Sequence, residues 1–438
     1  MDPIIVLFYK SLRIPNLDSY ACTYHIVLVC CSKKTNKAGM DIAMDEAAGV
    51  NPTRLKGGMI VCWILGLGNL LAWNCMLTIG DYYYQLFPKY HPSRVLALVY
   101  QPFSIATIAI LSYKSEEIDR RKRNLAGYLL FTLGTSSLLL IDFATSGKGG
   151  LGVYIGICIV VASFGVASAH VEGGIVGEIS SMSPKLIQSF FAGIAASGAL
   201  TSGLRLVTKV AFELSSLNLR KGVILFLTIT TLLELLCFIL YAFIFPKLPI
   251  VKYHRSKAAA LEGSPSEITY DRMSKKELFK QNIDYALDLY LIYALTLSIF
   301  PGFLYENTGS HNLGSWYPNV LVAVFNVWDL ISRYIPLVNR MTLKSRKGLM
   351  IATLSRFLLV PCFYFTARYG DQGWMIMLVS ILGLTNGYLT VSVLTAATKG
   401  YEGLEANALG NMLVSCLLTG VFSGAALDWL WLIGNSDF

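Results

Sequence analysis

The sequence predicts an all-α integral membrane protein with about eleven transmembrane helices, arranged six and five. Three observations predict it. Of 438 residues, 54% are hydrophobic and only 14% are charged, whereas a soluble globular chain carries roughly 25% charged residues. The apolar residues gather into runs long enough to cross a hydrocarbon core, which takes about 20 residues of helix. The basic residues between those runs alternate strongly from one side to the other, as the topology of a membrane protein requires.

The runs fall at 59–84, 93–113, 124–145, 151–177, 186–209, 222–245, 283–305, 316–338, 348–367, 373–397 and 404–432. Gly and Pro punctuate the joints, as in "FPKYHPSR" at 87–94, "SGKGG" at 146–150 and "FPKLP" at 245–249. The longest polar connection, 246–282, separates an N-terminal bundle (58–245) from a C-terminal bundle (283–432), with a tail at 1–57 and a short end at 433–438. With the N-terminus on side one, the connections on that side carry 21 Lys and Arg and those on side two carry six. The positive-inside rule then places the N-terminal tail and the 246–282 loop in the cytosol and the C-terminus outside or in a lumen. The formal charge of +9 fits loops beside anionic lipid headgroups, so no nucleic acid is implied.

Residues 1–39 fit this layout less neatly. "IIVLFY" and "YHIVLVCC" are apolar but too short to span, and no cleavage site follows a proper signal core. Met40 and Met44 precede the polar lead "DEAAGVNPTRLKG", so 1–39 is either an alternative start or a disordered or membrane-surface tail. The nine cysteines form no CxxC pair and have no His cluster beside them. They are expected to be buried thiols, without a metal site or a disulfide framework.

Charges at membrane depth carry the functional information, because each costs about 2.5–3.5 kcal/mol at a helix centre. Asp81, Asp142, Asp284, Asp288 and Asp428 lie near span ends and are expected to reach water. Glu172, Glu234, Asp329, Arg333 and Arg356 lie deeper. In "FNVWDLISRY", 325–334, Asp329 and Arg333 are four residues apart and share a helix face with Asn326, one turn earlier. An amide, a carboxylate and a guanidinium together suit a hydroxylated, hydrogen-bonding ligand. The same pair would also serve as a salt bridge locking span 8 to a neighbour.

In span 1, Leu70, Trp73, Asn74 and Leu77 share a face. A Trp at mid-depth suits stacking on a flat ligand or plain packing. Gly66 and Gly68 suit close helix contact. In span 4, "SFGVASAHVEGGIVGEIS" puts Glu172 on the face of Ser168, among glycines. Glu172 is open to four readings: proton carrier, ligand contact, partner of Arg333, or a neutral structural acid. His170 reads as packing, and Glu234 and Arg356 as members of structural pairs. No HExxH, GxSxG or Walker loop is present, which argues against an enzyme and against ATP-driven transport by this chain alone. Eleven spans split six and five around buried polar groups suit a secondary transporter with a midplane site. A sugar or other polar solute would fit such a site as an alternative cargo.

"GLGNLLAWN" in span 1, "EGGIVGE" in span 4, "FNVWDLISR" in span 8 and "GLTNGYL" in span 10 together resemble the equilibrative nucleoside transporter family. "QSFFAGIAASGALTSGLRLVTK" at 188–209 is similar to its plant branch. The resemblance covers about residues 54–432. It implies a fold related to the major facilitator, with two helical bundles about a central cavity working by alternating access. It implies nucleosides, and in some members nucleobases, as substrates, with no cofactor. By motif, Trp73, Leu70 and Leu77 would pack on the base, while Asp329 and Arg333 would hold the ribose, with Asn326 and Asn74 in support. The family commonly has Gln where this chain has Glu172, a contact to the base. The departure makes Glu172 a candidate proton-coupling site, because plant-branch members are often proton-coupled. The plasma membrane is the expected location, with the vacuolar membrane as the alternative.

Overall fold

The structure is a computed structural model. It describes residues 52–432, apart from 80–81, 84–85, 88–89, 91, 114–118, 213–215, 263–273, 307–312, 339–340, 370–371 and 402. The readings of residues 1–39 and of Asp81 lie outside the described residues. The chain divides into two units, Met1–Lys56 and Gly57–Phe438. Of the first, only the opening residues of the first helix are described; all that follows concerns the second.

Among the described residues, eleven helices are long and apolar enough to cross a membrane. They are α1 (Pro52–Thr78), α2 (Pro92–Tyr113), α3 (Arg120–Thr145), α4 (Leu151–Ser180), α5 (Pro184–Phe212) and α6 (Ser216–Ile239), followed by α7 (Ile283–Leu297), α8 (Tyr317–Ser332), α9 (Arg346–Ser355, resuming at Leu359–Tyr369), α10 (Gln372–Ala397) and α11 (Gly403–Asp428). No strand occurs among the described residues. Local chemistry sets several ends. Asp119 caps α3 by accepting from the Arg121 N–H, a standard means of satisfying a free amide at a helix start. Pro318 opens α8 in its first turn, where a missing N–H costs nothing. Ser146 closes α3 in the left-handed conformation.

The span 1 expectation ran to residue 84, but α1 stops at Thr78, four residues before the Tyr82 ring turns back to bond Asp142. The polar 246–282 connection is partly helical, with helices at Pro249–Glu262 and Lys275–Gln281. Large apolar side chains are exposed along the spans, among them Ile110, Leu140, Ile159, Leu232, Ile351 and Leu358. Exposure on that scale is the pattern of helices whose outer faces meet lipid. Cys62, Cys75 and Cys237 are buried, but Cys362 is exposed on α9, which corrects the buried-thiol reading for that residue: it lies on the outward stripe of the helix.

Within the N-terminal half, α4 packs on α2 and α3, and α3 on α6; within the C-terminal half, α7 packs on α11 and α8 on α10. The halves meet where α11 packs on α2 and α4, and where α5 packs on α8 and α10. Below, the side of the membrane at which α1 begins is called the basic face, after its 21 basic residues, and the other the opposite face.

Candidate functional site

The site begins with glycines. At Gly66 a Cβ would run into the Phe190 carbonyl, and at Gly193 into that of Trp63. The backbones of α1 and α5 therefore cross in contact, which no larger residue would permit. On α10, a Cβ at Gly383 would meet the Phe325 carbonyl and one at Gly387 the Asp329 carbonyl. That places Asn386, between the two glycines, directly against α8.

Asn386 donates to Asp329 Oδ1 at 2.7 Å. The other carboxylate oxygen, Oδ2, accepts from Arg333 Nε at 3.1 Å and from Nη2 at 2.9 Å. Arg333 Nη1 donates to the Phe191 carbonyl of α5 at 2.7 Å. Asp329 and Arg333 are 5% and 3% exposed, so the pair is desolvated and its geometry must satisfy it from within. The network continues on the far side of Asn386, whose Oδ1 accepts from Thr296 at 2.9 Å. Thr296 also accepts from Arg356 Nη2 at 2.7 Å. Arg356 further donates to Thr385 and to the Ile292 carbonyl. The expected ion pair for Arg356 is thus replaced by hydroxyl and carbonyl acceptors, while the Asp329 carboxylate bonds Asn386 and Arg333. A continuous polar chain runs from α9 through α7, α10 and α8 to α5.

One turn from Asp329 towards the opposite face, Asn326 donates to Ser202 of α5 at 2.7 Å. Here the halves separate around a narrow cleft that opens to solvent. Its lining brings together Asn74, Leu77, Thr78, Thr201, Ser202 and Arg205 from the N-terminal half with Phe300, Pro301, Asn319, Val322 and Asn326 from the C-terminal half. Asn74 is itself held by a 2.7 Å bond to Ser197.

Of the eight sequence-predicted residues, the cavity gathers Asn74, Leu77 and Asn326. Asp329 and Arg333 lie one and two turns beneath its floor. Trp73 is buried with its ring stacked on Tyr100, centroids 4.5 Å apart, and Leu70 is half-buried. Glu172, 4% exposed, accepts from Asn69 Nδ2 at 3.3 Å; no hydrogen bond to Arg333 is described, Arg333 being engaged with Asp329, Phe191 and Tyr293. His170 bonds the Val166 carbonyl of its own helix, the packing role expected of it. Glu234 departs from the structural-pair expectation: it is fully buried against Gly68 and beside the Ala72 backbone of α1, with no ion pair described for it. Asp288 departs as well: it is fully buried, its carboxylate turned to Thr353 of α9.

Sequence reasoning missed Asn69, Tyr100, Asn386 and Arg205. Asn386 stood inside the quoted "GLTNGYL", and its flanking glycines were the available signal. Arg205 was overlooked among the charges at membrane depth, although it too is buried.

Towards the basic face the halves close. Arg123 of α3 donates to Asn411 Oδ1 of α11 at 2.9 Å and to the Ala169 and His170 carbonyls. Ser180 donates to the Ala406 carbonyl at 2.9 Å. Gln188 donates to the Arg333 carbonyl and Trp63 to the Tyr334 hydroxyl, each at 2.8 Å.

Two bundles of membrane-spanning helices around a polar cavity that lies towards the opposite face, with the halves closed towards the basic face, fit a transporter of the alternating-access architecture. Solved structures of similar fold include a proton:xylose symporter of the major facilitator superfamily, with a TM-score of 0.61 and 13% identity over 89% of this chain and 90% of that one. A bacterial homologue of the iron transporter ferroportin aligns with a TM-score of 0.56 and 12% identity over 86% of this chain and 97% of that one. At such identities the likeness is one of fold alone. The Nucleoside transporter family profile matches residues 157–284 and 273–433. Equilibrative nucleotide transporter 3 of Arabidopsis thaliana is 60% identical over 408 residues, covering 88% of this chain and 97% of that protein. Equilibrative nucleotide transporter 5 of the same plant is 58% identical over 409 residues, with the same coverage. The chain belongs to the nucleoside transporter family.

Proposed function

We propose that the protein carries nucleosides, purine and pyrimidine, across a membrane by alternating access, and that the cavity between α1, α5, α7 and α8 is the substrate site. The observation that carries this reading is the cavity lining: three amides and three hydroxyls beside apolar Leu77, Phe300 and Val322, a mixture suited to a flat base bearing a polyhydroxylated sugar. In the proposed pose the sugar lies towards Asn326, with the Asp329–Arg333 pair beneath it. The base lies between Leu77 and Phe300, close to the Trp73–Tyr100 stack. With the basic face in the cytosol, as the loop charges argue, the cavity opens away from the cytosol and the closed contacts form the cytosolic gate. The plasma membrane is the proposed location.

Glu172 is the proposed point at which protons enter the cycle. It is a buried carboxyl at mid-depth, held by one amide and adjacent to the α1 residues of the site. Glu172→Gln keeps the shape and an acceptor while removing the titratable proton. Coupling through Glu172 predicts wild-type uptake that rises at acidic pH and variant uptake that does not. A variant that keeps the wild-type pH profile would remove Glu172 from the coupling role.

The reading itself is tested by uptake of labelled adenosine and uridine in a host lacking its own nucleoside transport, with surface expression measured alongside. Saturable uptake of both, competed by excess unlabelled nucleoside, is the expected result. Uptake absent despite good surface expression, or insensitive to excess nucleoside, would overturn it in favour of another polar solute.

A further inference from the structure

Helix α7 breaks at the cavity wall. It stops at Leu297, because Pro301 has no N–H with which to continue the ladder. The chain turns through 298–301 before a short helical stretch begins at Gly302. Phe300 and Pro301, within the break, line the cavity. The Phe300 ring stacks on Phe325 of α8, centroids 4.1 Å apart, next to Asn326. A break of this kind leaves carbonyls before it and N–H groups after it without helical partners.

The end of α11 supplies partners on both sides. Before the break, Trp431 Nε1 donates to the Ser298 carbonyl at 2.6 Å. After it, Asp428 Oδ1 accepts from the Phe303 N–H at 3.0 Å. Gly302 leaves room for that carboxylate, since a Cβ there would collide with Asp428 Oδ2. The Trp431 ring also packs on Phe303, centroids 4.5 Å apart. Earlier along α7 the two helices are in backbone contact as well: a Cβ at Gly420 or Gly424 of α11 would meet the Tyr290 or Ala294 carbonyl. The two wall residues of the break are thus suspended between ties that start from one helix end. Neither Asp428 nor Trp431 is among the described lining residues.

We propose that Asp428 and Trp431 are positioning residues for transport, which hold the α7 break in the shape that presents Phe300 and Pro301 to the substrate. The inference rests on the nucleoside reading of the cavity and deepens it, giving the wall beside the base a support outside the site. A wall held in place beforehand spares the substrate the cost of ordering it. Loosening it therefore weakens binding. A purely structural tie between α7 and α11 would change only the amount of folded transporter, and with it the maximal rate.

The test is concentration-dependent uptake of labelled uridine by the full chain in the transport-deficient host, with surface abundance measured. Trp431→Phe removes the indole donor and keeps a ring against Phe303. Asp428→Ala removes the acceptor, and Asp428→Asn keeps an oxygen that accepts from Phe303. The half-saturating concentration is expected to rise about fivefold in Trp431→Phe and about tenfold in Asp428→Ala, and to stay within about twofold of wild type in Asp428→Asn, the scales of one neutral, one charged and one retained hydrogen bond. In a Phe300→Ala background, Trp431→Phe is expected to raise it by less than about twofold, because the ring it positions is gone. Two results would overturn the proposal and leave the nucleoside reading standing. One is unchanged half-saturation in variants whose maximal rate falls with surface abundance. The other is an equal rise from Trp431→Phe with and without the Phe300 ring. If Asp428→Ala does not reach the surface, Trp431→Phe decides by the same readouts. A wild type that carries no nucleoside would overturn both readings.

Discussion

Towards the basic face the two halves of the molecule meet through buried charge and backbone contact, whereas towards the opposite face they meet around amides, hydroxyls and space. Arg123–Asn411, Ser180–Ala406 and Arg333–Phe191 close the first region; Asn326–Ser202 is the polar tie beside the cavity in the second. The closing bonds of the first region end largely on backbone carbonyls, which are fixed in place by their helices. Those of the second end on side chains that can rotate away. The difference teaches how one interface can be firm where it seals and adaptable where it binds. Buried charged groups hold geometry because leaving them unpaired is expensive, while neutral amides exchange partners with a ligand at little cost.

Breaking the firm region should have the largest effect. Arg333→Ala leaves Asp329 buried with only Asn386 as partner and is expected to cost about 3–5 kcal/mol. Uptake should be lost along with much of the thermal stability of the purified protein, measured by loss of monodisperse protein on heating. Gly387→Ala forces a methyl group against the Asp329 carbonyl and the Ser332 hydroxyl. Overpacking of this kind costs about 1–3 kcal/mol, so the variant should reach the surface in reduced amount, and normalised uptake should fall as Asp329 and Arg333 shift. Asn326→Ala touches the adaptable region. It removes one neutral hydrogen bond, worth about 1 kcal/mol, and should raise the half-saturating nucleoside concentration about fivefold while leaving stability close to wild type. Stability losses equal in Arg333→Ala and Asn326→Ala would erase the distinction between the two regions.

Much of this was legible in the sequence, for reasons that can be named. Span count and sidedness follow from runs of apolar residues and from loop charges, both local properties. The Asp329–Arg333 pair was legible because the i, i+4 spacing of a helix brings its partners together without knowledge of the fold. Asn386, 57 residues from Asp329 in sequence, and Arg356, which joins through Thr296, were not assigned to the same network, since only packing brings their helices together. The glycines of α10 indicated close approach without saying to which helix. Glu234 and Asp288 were misjudged for a related reason. A span position tells depth, but whether a side chain turns to lipid, water or a neighbouring helix is decided by which face that neighbour covers. Arg205 escaped notice because its place in the cavity wall arises only where α5 meets α7 and α8 around shared space.

The central claim is that a nucleoside occupies the cavity between the two halves, and a cysteine placed in its wall tests this most directly. Val322→Cys lines the cavity and removes no hydrogen bond. Its reaction with a membrane-impermeant thiol reagent is followed with and without uridine, in a background where Cys362 is replaced by Ser. Labelling slowed about tenfold at uridine ten times above its dissociation constant, with no protection by a sugar alone, is the result expected. Labelling that proceeds at the same rate with uridine present, in protein that still transports it, would place the substrate elsewhere.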